Sequence, residues 1–196
     1  MLNVNSLIAF PWLLFLAYWL ASRLYEAAAR TSKRVVKRPP FLTGRAPNIF
    51  LYIALILLFF DFGLTHTVLG VRFLPNGPIA ATVGFAVCLA GILFAIWARM
   101  YLGGNWSGTP AIKKDQALVK TGPYAMVRNP IYTGITIGVV GSAISVGTVS
   151  GLIAIVCAVI FSVFRIATEE RMLKEKFGKA YEEYCNEVKA FVPGVW

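Results

Sequence analysis

Five apolar stretches, each close to the roughly 20 helical residues that cross a bilayer core, constrain this chain more than any other feature. They cover residues 7–29, 49–64, 79–102, 131–145 and 149–168. Charged residues are only 14% of the sequence, whereas water-soluble domains carry about a quarter. Much of the surface must therefore face lipid. The expected fold is an all-α integral membrane protein with five transmembrane helices. Only Gly147 and its small neighbours separate the last two stretches, which predicts a C-terminal helical hairpin. The fourth stretch is short and rich in glycine, a composition that lets helices pack closely in lipid. The first stretch has no basic residues before it and an apolar run too long for a cleaved leader, so it reads as a retained helix.

The net charge of +10 invites a nucleic-acid reading, but the positions of the cations oppose it. Arg30, Lys33, Arg34, Lys37, Arg38 and Arg45 fall between the first two stretches, and five more lie from Arg99 to Arg128. Six lie from Arg165 onward, whereas the second connection holds Arg72 alone. Cations on alternate connections follow the positive-inside rule. The expected topology puts the N-terminus outside and the C-terminus in the cytoplasm. The basic face would then lie against membrane lipids with anionic headgroups, each nearby cation contributing about 1 kcal/mol. No nucleic-acid partner is expected. Cys88 and Cys157 lie inside apolar runs and no CxxC pair exists, so neither a disulfide nor a metal site is expected. The lone His66 reads as an interfacial residue, and Asp61 as a carboxylate near the outer interface.

The chain divides into residues 1–75, with two helices and a basic loop carrying Pro39, Pro40, Gly44 and Pro47, and residues 76–196, which hold the chemistry. The connection at 103–129 is long, and its aromatic residues and turn signals favour an ordered loop. Gly178 should end the last long helix, with a short helix from about 179 to 187 after it.

Two constellations stand out. Arg165 and Glu169 are i and i+4 at the exit of the fifth stretch, on one helical face, with Glu170 about 100° further round. As a surface pair they would contribute under about 1 kcal/mol, whereas ionisable groups facing a bundle interior at the hydrocarbon edge tend to be functional. The second is Gly122-Pro123-Tyr124-Ala-Met-Val-Arg128-Asn129-Pro130-Ile131-Tyr132. Irregular backbone near a membrane must find hydrogen-bond partners or line a polar cavity.

The pattern Leu118-Val119-x-x-Gly122-Pro123-Tyr124-x-x-Val127-Arg128-Asn129-Pro130-x-Tyr132-x-Gly134 resembles the cofactor signature of the isoprenylcysteine carboxyl methyltransferases and related phospholipid methyltransferases. Arg165-x-x-x-Glu169-Glu170, Phe177-Gly178-x-x-Tyr181-x-x-Tyr184 and the 103–107 stretch are similar to other parts of the same family. The resemblance implies S-adenosylmethionine bound by Gln116, Ala117, Leu118, Val119, Gly122, Tyr124, Asn129, Pro130, Ile131, Tyr132 and Glu169, beneath cytoplasmic helices that enclose it. It also implies a lipophilic methyl acceptor that enters from the bilayer, with Arg165, Glu169 and Glu170 as catalytic residues. The chain departs from the family at Gln116 and Asn129, where histidine is common. Neither can titrate near neutral pH, which favours a carboxylate acceptor because it needs no base. Rival readings are an NADPH-dependent sterol-reductase-like enzyme, a phospholipid N-methyltransferase and a non-catalytic membrane scaffold.

Overall fold

The computed structural model describes residues 4–28, 34–60, 66–106 and 110–195. Asp61 and Ser107 lie outside the described residues. Helix α1 runs over Val4–Ala28, a short turn of helix α2 over Phe41–Gly44, and α3 over Asn48–Phe59. Then come α4 over Pro78–Leu102, α5 over Pro130–Val146, α6 over Val149–Phe177 and α7 over Lys179–Glu187. Among the described residues, four segments are long and apolar enough to span a membrane: Leu7–Ala28, Phe41–Phe59, Pro78–Asn105 and Val149–Phe177. The fifth expected span, α5, has 17 residues. At 1.5 Å per residue it is shorter than a hydrocarbon core of about 30 Å. Most of its side chains are buried among neighbouring helices, so protein rather than lipid sets its length.

The outer surface is apolar, as lipid requires. On α1, Leu13, Leu16 and Leu20 are each more than half exposed. Polar groups turn inward: Trp12 donates Nε1 to Ser142 Oγ at 3.0 Å, and Thr136 meets Ser162 at 3.0 Å. Without a hydrophobic force between helices, packing depends on close backbone approach and such bonds. The α4–α5 contact shows both. A Cβ on Gly141 would stand 2.2 Å from the Cys88 nitrogen, and one on Gly91 2.6 Å from the Gly134 carbonyl.

The hairpin between α5 and α6 forms as expected. Gly147 takes the left-handed conformation (φ 67°) that caps α5, and its carbonyl accepts from Phe73 at 2.9 Å. Gly178, at φ 52°, ends α6 and starts α7. His66 is exposed, in the connection after α3.

The prolines and glycine of the basic loop favour irregular backbone, yet part of the loop is extended and paired. Val35–Lys37 forms β1, which pairs antiparallel with β2, Ile112–Lys113, with a register irregularity between Val35 and Lys37. Lys37 is also ion-paired with Glu175 on α6. The N-terminal loop is thus stitched to the polar end of the C-terminal half, and α2 packs on α6.

Candidate active site

A cavity of about 250 Å³ lies where the polar connections meet α1, α3, α5 and α6. One end is lined by Gln116, Ala117, Leu118 and Val119 of the 103–129 connection, with Asn129 beside them. Ile131 and Tyr132 enter from the first turn of α5, and Arg165 and Glu169 from α6. Apolar walls extend toward the spans through Leu51, Ile135 and Phe161.

The central cluster is Tyr132, Arg165 and Glu169. Tyr132 donates its hydroxyl to Glu169 Oε1 at 2.5 Å and accepts from Arg165 Nε at 3.1 Å. Arg165 Nη2 stands 3.6 Å from the same carboxylate, with the Arg165 side chain 5% exposed. This is no solvated surface pair. Arg165 also donates Nη1 to the Gly44 carbonyl at 2.7 Å, so its fork is held from two elements.

Three residues expected at the site stand behind it rather than in the cavity lining. Glu170 turns away from Glu169, as the 100° helical step dictates. It accepts from Arg128 at 2.9 and 3.2 Å and from Asn129 Nδ2 at 3.0 Å. Arg128 in turn donates to the carbonyls of Cys185 and Val188, so this pair clamps the segment after α7 against α6. Glu170 is ion-paired with Arg128 and lies outside the cavity lining. Gly122, at φ 59°, is required by the turn itself, since a Cβ there would fall 2.3 Å from the Tyr101 ring. Pro130 is buried at the first position of α5, where the missing N–H costs no hydrogen bond.

The two residues that depart from the family pattern have structural partners. Gln116 Oε1 accepts from the Lys113 amide at 3.1 Å, and Asn129 Nδ2 also donates to the Ala190 carbonyl at 3.0 Å. Amides suit these places because each side chain must satisfy fixed backbone or carboxylate groups without titrating.

Sequence reasoning missed the contribution of the N-terminal half. Phe15 and Trp19 on α1, and Asn48, Leu51 and Tyr52 on α3, line the cavity. The available signal was Asn48 and Tyr52 at i and i+4 on an otherwise apolar helix. Trp106, Tyr181 and Tyr184 complete the wall. Tyr184 donates its hydroxyl to the Tyr124 carbonyl, and burial holds the Tyr124 and Tyr184 phenols well above their ordinary range. Both remain neutral donors across physiological pH. Among the described residues, no cluster of three His, Cys, Asp or Glu side chains suits a metal.

Fold and cavity together define a class: a multi-pass helical membrane protein whose ligand cavity is shared between its spans and the polar connections at one end. Residues 79–180 match the family model described as phospholipid methyltransferase, just over half of the chain. The chain belongs to that family, and the resemblance read from the motifs holds. It is 36% identical over 116 residues to a protein-S-isoprenylcysteine O-methyltransferase of Schizosaccharomyces pombe, covering 58% of this chain and 48% of that protein. To an Arabidopsis thaliana protein-S-isoprenylcysteine O-methyltransferase B it is 30% identical, over 57% of this chain and 58% of that one. A nickel-cobalt-cadmium resistance protein of Alcaligenes xylosoxydans is 27% identical, over 57% and 49%. The chain spans about half the length of the curated relatives it matches.

Proposed function

We propose that the protein transfers a methyl group from S-adenosylmethionine to a lipophilic acceptor that reaches the cavity from the bilayer. The observation that carries this reading is the Tyr132–Arg165–Glu169 cluster in a cavity continuous with both the polar loops and the apolar spans. The donor set suits the cofactor. Glu169 is the one carboxylate among the described lining residues, and it is partly exposed, as a partner for a cationic group must be. Gln116 to Val119 and Tyr124 offer backbone groups and an aromatic face for the remainder. Bound there, S-adenosylmethionine supplies a methyl group already activated on a sulfonium.

The chain's own residues then provide alignment. Glu169 holds the cofactor's ammonium or ribose hydroxyls while Tyr132 fixes the carboxylate rotamer. Arg165 orients an anionic group on the acceptor. Leu51, Ile135 and Phe161 take its apolar part. The aromatic wall of Tyr124, Tyr181 and Tyr184 excludes water. Holding two reactants in near-attack geometry can contribute roughly 7–11 kcal/mol. A carboxylate acceptor needs no base; for an amine or thiol, Glu169 is the proton acceptor within the cavity. The acceptor named for the yeast and plant relatives is an isoprenylcysteine, and a carboxylate on such a lipid fits the Arg165 fork. On this reading the basic connections favour the cytoplasmic face for this end, with residues 76–196 as the catalytic core and residues 1–75 completing the acceptor side.

An NADPH-dependent reductase fits less well. The cations lining the cavity among the described residues, Arg128 and Arg165, are committed to Glu170, Glu169 and carbonyl groups, which leaves little for an additional phosphate. Titration calorimetry of the detergent-solubilised protein with S-adenosylhomocysteine tests the proposal. Saturable binding that Glu169→Ala weakens is the expected result. An absence of heat from the wild-type protein ends this reading.

A further inference from the structure

Behind the cavity wall lies a second buried ion pair, on side chains outside the motif. Arg99, at the end of α4, is 2% exposed and donates Nη2 to Glu26 Oε1 at 2.6 Å and to Ser22 Oγ at 2.7 Å, both on α1. Its Nη1 reaches the Gly103 carbonyl at 3.2 Å. Three anchors from two elements therefore fix the plane of the guanidinium. Burying two charges is costly, and a purely apolar contact would join α1 to α4 as well. The pair has to be read with what it touches.

What it touches is Trp106. The Arg99 guanidinium lies 4.2 Å from the Trp106 ring centroid, and Arg23 lies 5.6 Å from the same ring. A cation held over an indole face attracts it, most strongly when desolvated. Trp106 meets Trp19 edge-on at 5.3 Å, and Trp19 stacks on Phe15 at 4.3 Å. Phe15, Trp19 and Trp106 all line the cavity, whereas Arg99 and Glu26 do not. The Trp106 backbone is held from the other side: Lys113 Nζ bonds to its carbonyl, while the Lys113 amide bonds to Gln116, which lines the cavity. The indole is thus gripped between α1 and the Gln116 loop.

We propose that Glu26 and Arg99 are positioning residues for the cavity, acting through Trp106. Glu26 fixes the Arg99 guanidinium, the guanidinium fixes the indole, and the indole sets the aromatic wall against which the bound molecule packs. This rests on the cofactor reading above. It assigns α1 a part in ligand binding beyond contributing apolar wall.

The test compares Glu26→Gln, Trp106→Phe and the exchanged pair Glu26→Arg/Arg99→Glu with the wild-type protein. Three readouts are thermal unfolding in detergent, S-adenosylhomocysteine affinity, and the ¹⁹F resonance of 5-fluorotryptophan at position 106, assigned from its loss in Trp106→Phe. Glu26→Gln is expected to shift or broaden that resonance and to weaken binding about tenfold. The exchanged pair restores the ion pair but puts a carboxylate against the indole face. It should recover thermal stability while binding stays about tenfold weak and the resonance stays displaced. If the exchange recovers binding and resonance together with stability, the pair is only a tether and the proposal falls. It falls equally if Glu26→Gln binds as the wild type does. Should the exchanged pair not fold, Glu26→Gln decides by affinity and resonance alone. A wild-type protein that takes up no S-adenosylhomocysteine removes the cofactor reading itself, and this one with it.

Discussion

Arg165 donates to the carbonyl of Gly44, 121 residues earlier in the chain, at 2.7 Å. That bond ties the N-terminal loop to α6 and helps hold the guanidinium beside Tyr132 and Glu169. Glu169 is partly exposed, so removing Arg165 acts mainly by leaving the buried Gly44 carbonyl without its donor, at a cost of roughly 1–3 kcal/mol. Arg165→Ala should therefore lower the thermal stability of the detergent-solubilised protein by about that amount and abolish methyl transfer. Arg165→Lys keeps the charge but has no planar fork. It should recover much of the stability and little of the transfer, as read by tritiated-methyl incorporation into a lipid extract.

Glu169 and Glu170 are neighbours in sequence with separate partners. Glu169→Gln keeps an acceptor for Tyr132 but loses the charge. Hydrogen bonds to charged groups contribute about 1.5–3 kcal/mol, so S-adenosylhomocysteine should bind roughly 10- to 100-fold more weakly, with unfolding little changed. Glu170→Gln should do the reverse, because it breaks the charged clamp to Arg128 that secures the segment after α7. Calorimetry and thermal unfolding on the same two preparations separate the roles. Equal effects on binding would refute the assignment.

Gly141 faces the backbone of Cys88 so closely that a methyl group has nowhere to go. Overpacking of this kind costs typically 1–3 kcal/mol, occasionally more. With rigid backbone as the obstacle, Gly141→Ala should reach at least the upper end. Gly77 meets nothing within 4 Å and sits in extended backbone (φ −166°), so Gly77→Ala should leave the unfolding temperature within about a degree. Thermal scans of the two alanine variants provide the check.

Alkaline pH should unfold the polar end first. Burial raises the Tyr124, Tyr181 and Tyr184 phenols above their ordinary values. The folded state therefore favours their neutral forms. This stabilisation is complete below the unfolded tyrosine value of about 10 and is lost as pH rises above it. Unfolding temperature should stay level from pH 7 to 9 and decline above about pH 10. Tyr184→Phe removes the donor to the Tyr124 carbonyl, lowering the plateau and flattening that decline.

The run of apolar segments, the glycine caps at 147 and 178, and the motif from Leu118 to Tyr132 were decided within short windows of sequence. Helix periodicity, a left-handed turn and the spacing of Arg165 and Glu169 are local properties, and so the helices, the hairpin and most of the cavity's polar end could be read from residues alone. Local spacing turned Glu170 away from Glu169 but could not name its partners, because Arg128 and Asn129 come from a separate segment. Nor could it show that α1 and α3 supply a wall, that β1 meets β2, or that Arg99 lies between Glu26 and Trp106. Arg128 and Glu170 are 42 residues apart and Glu26 and Arg99 are 73, and only packing of the helices brings such segments together. Tertiary structure decided which charged groups were buried with partners, and so which of them could serve a ligand.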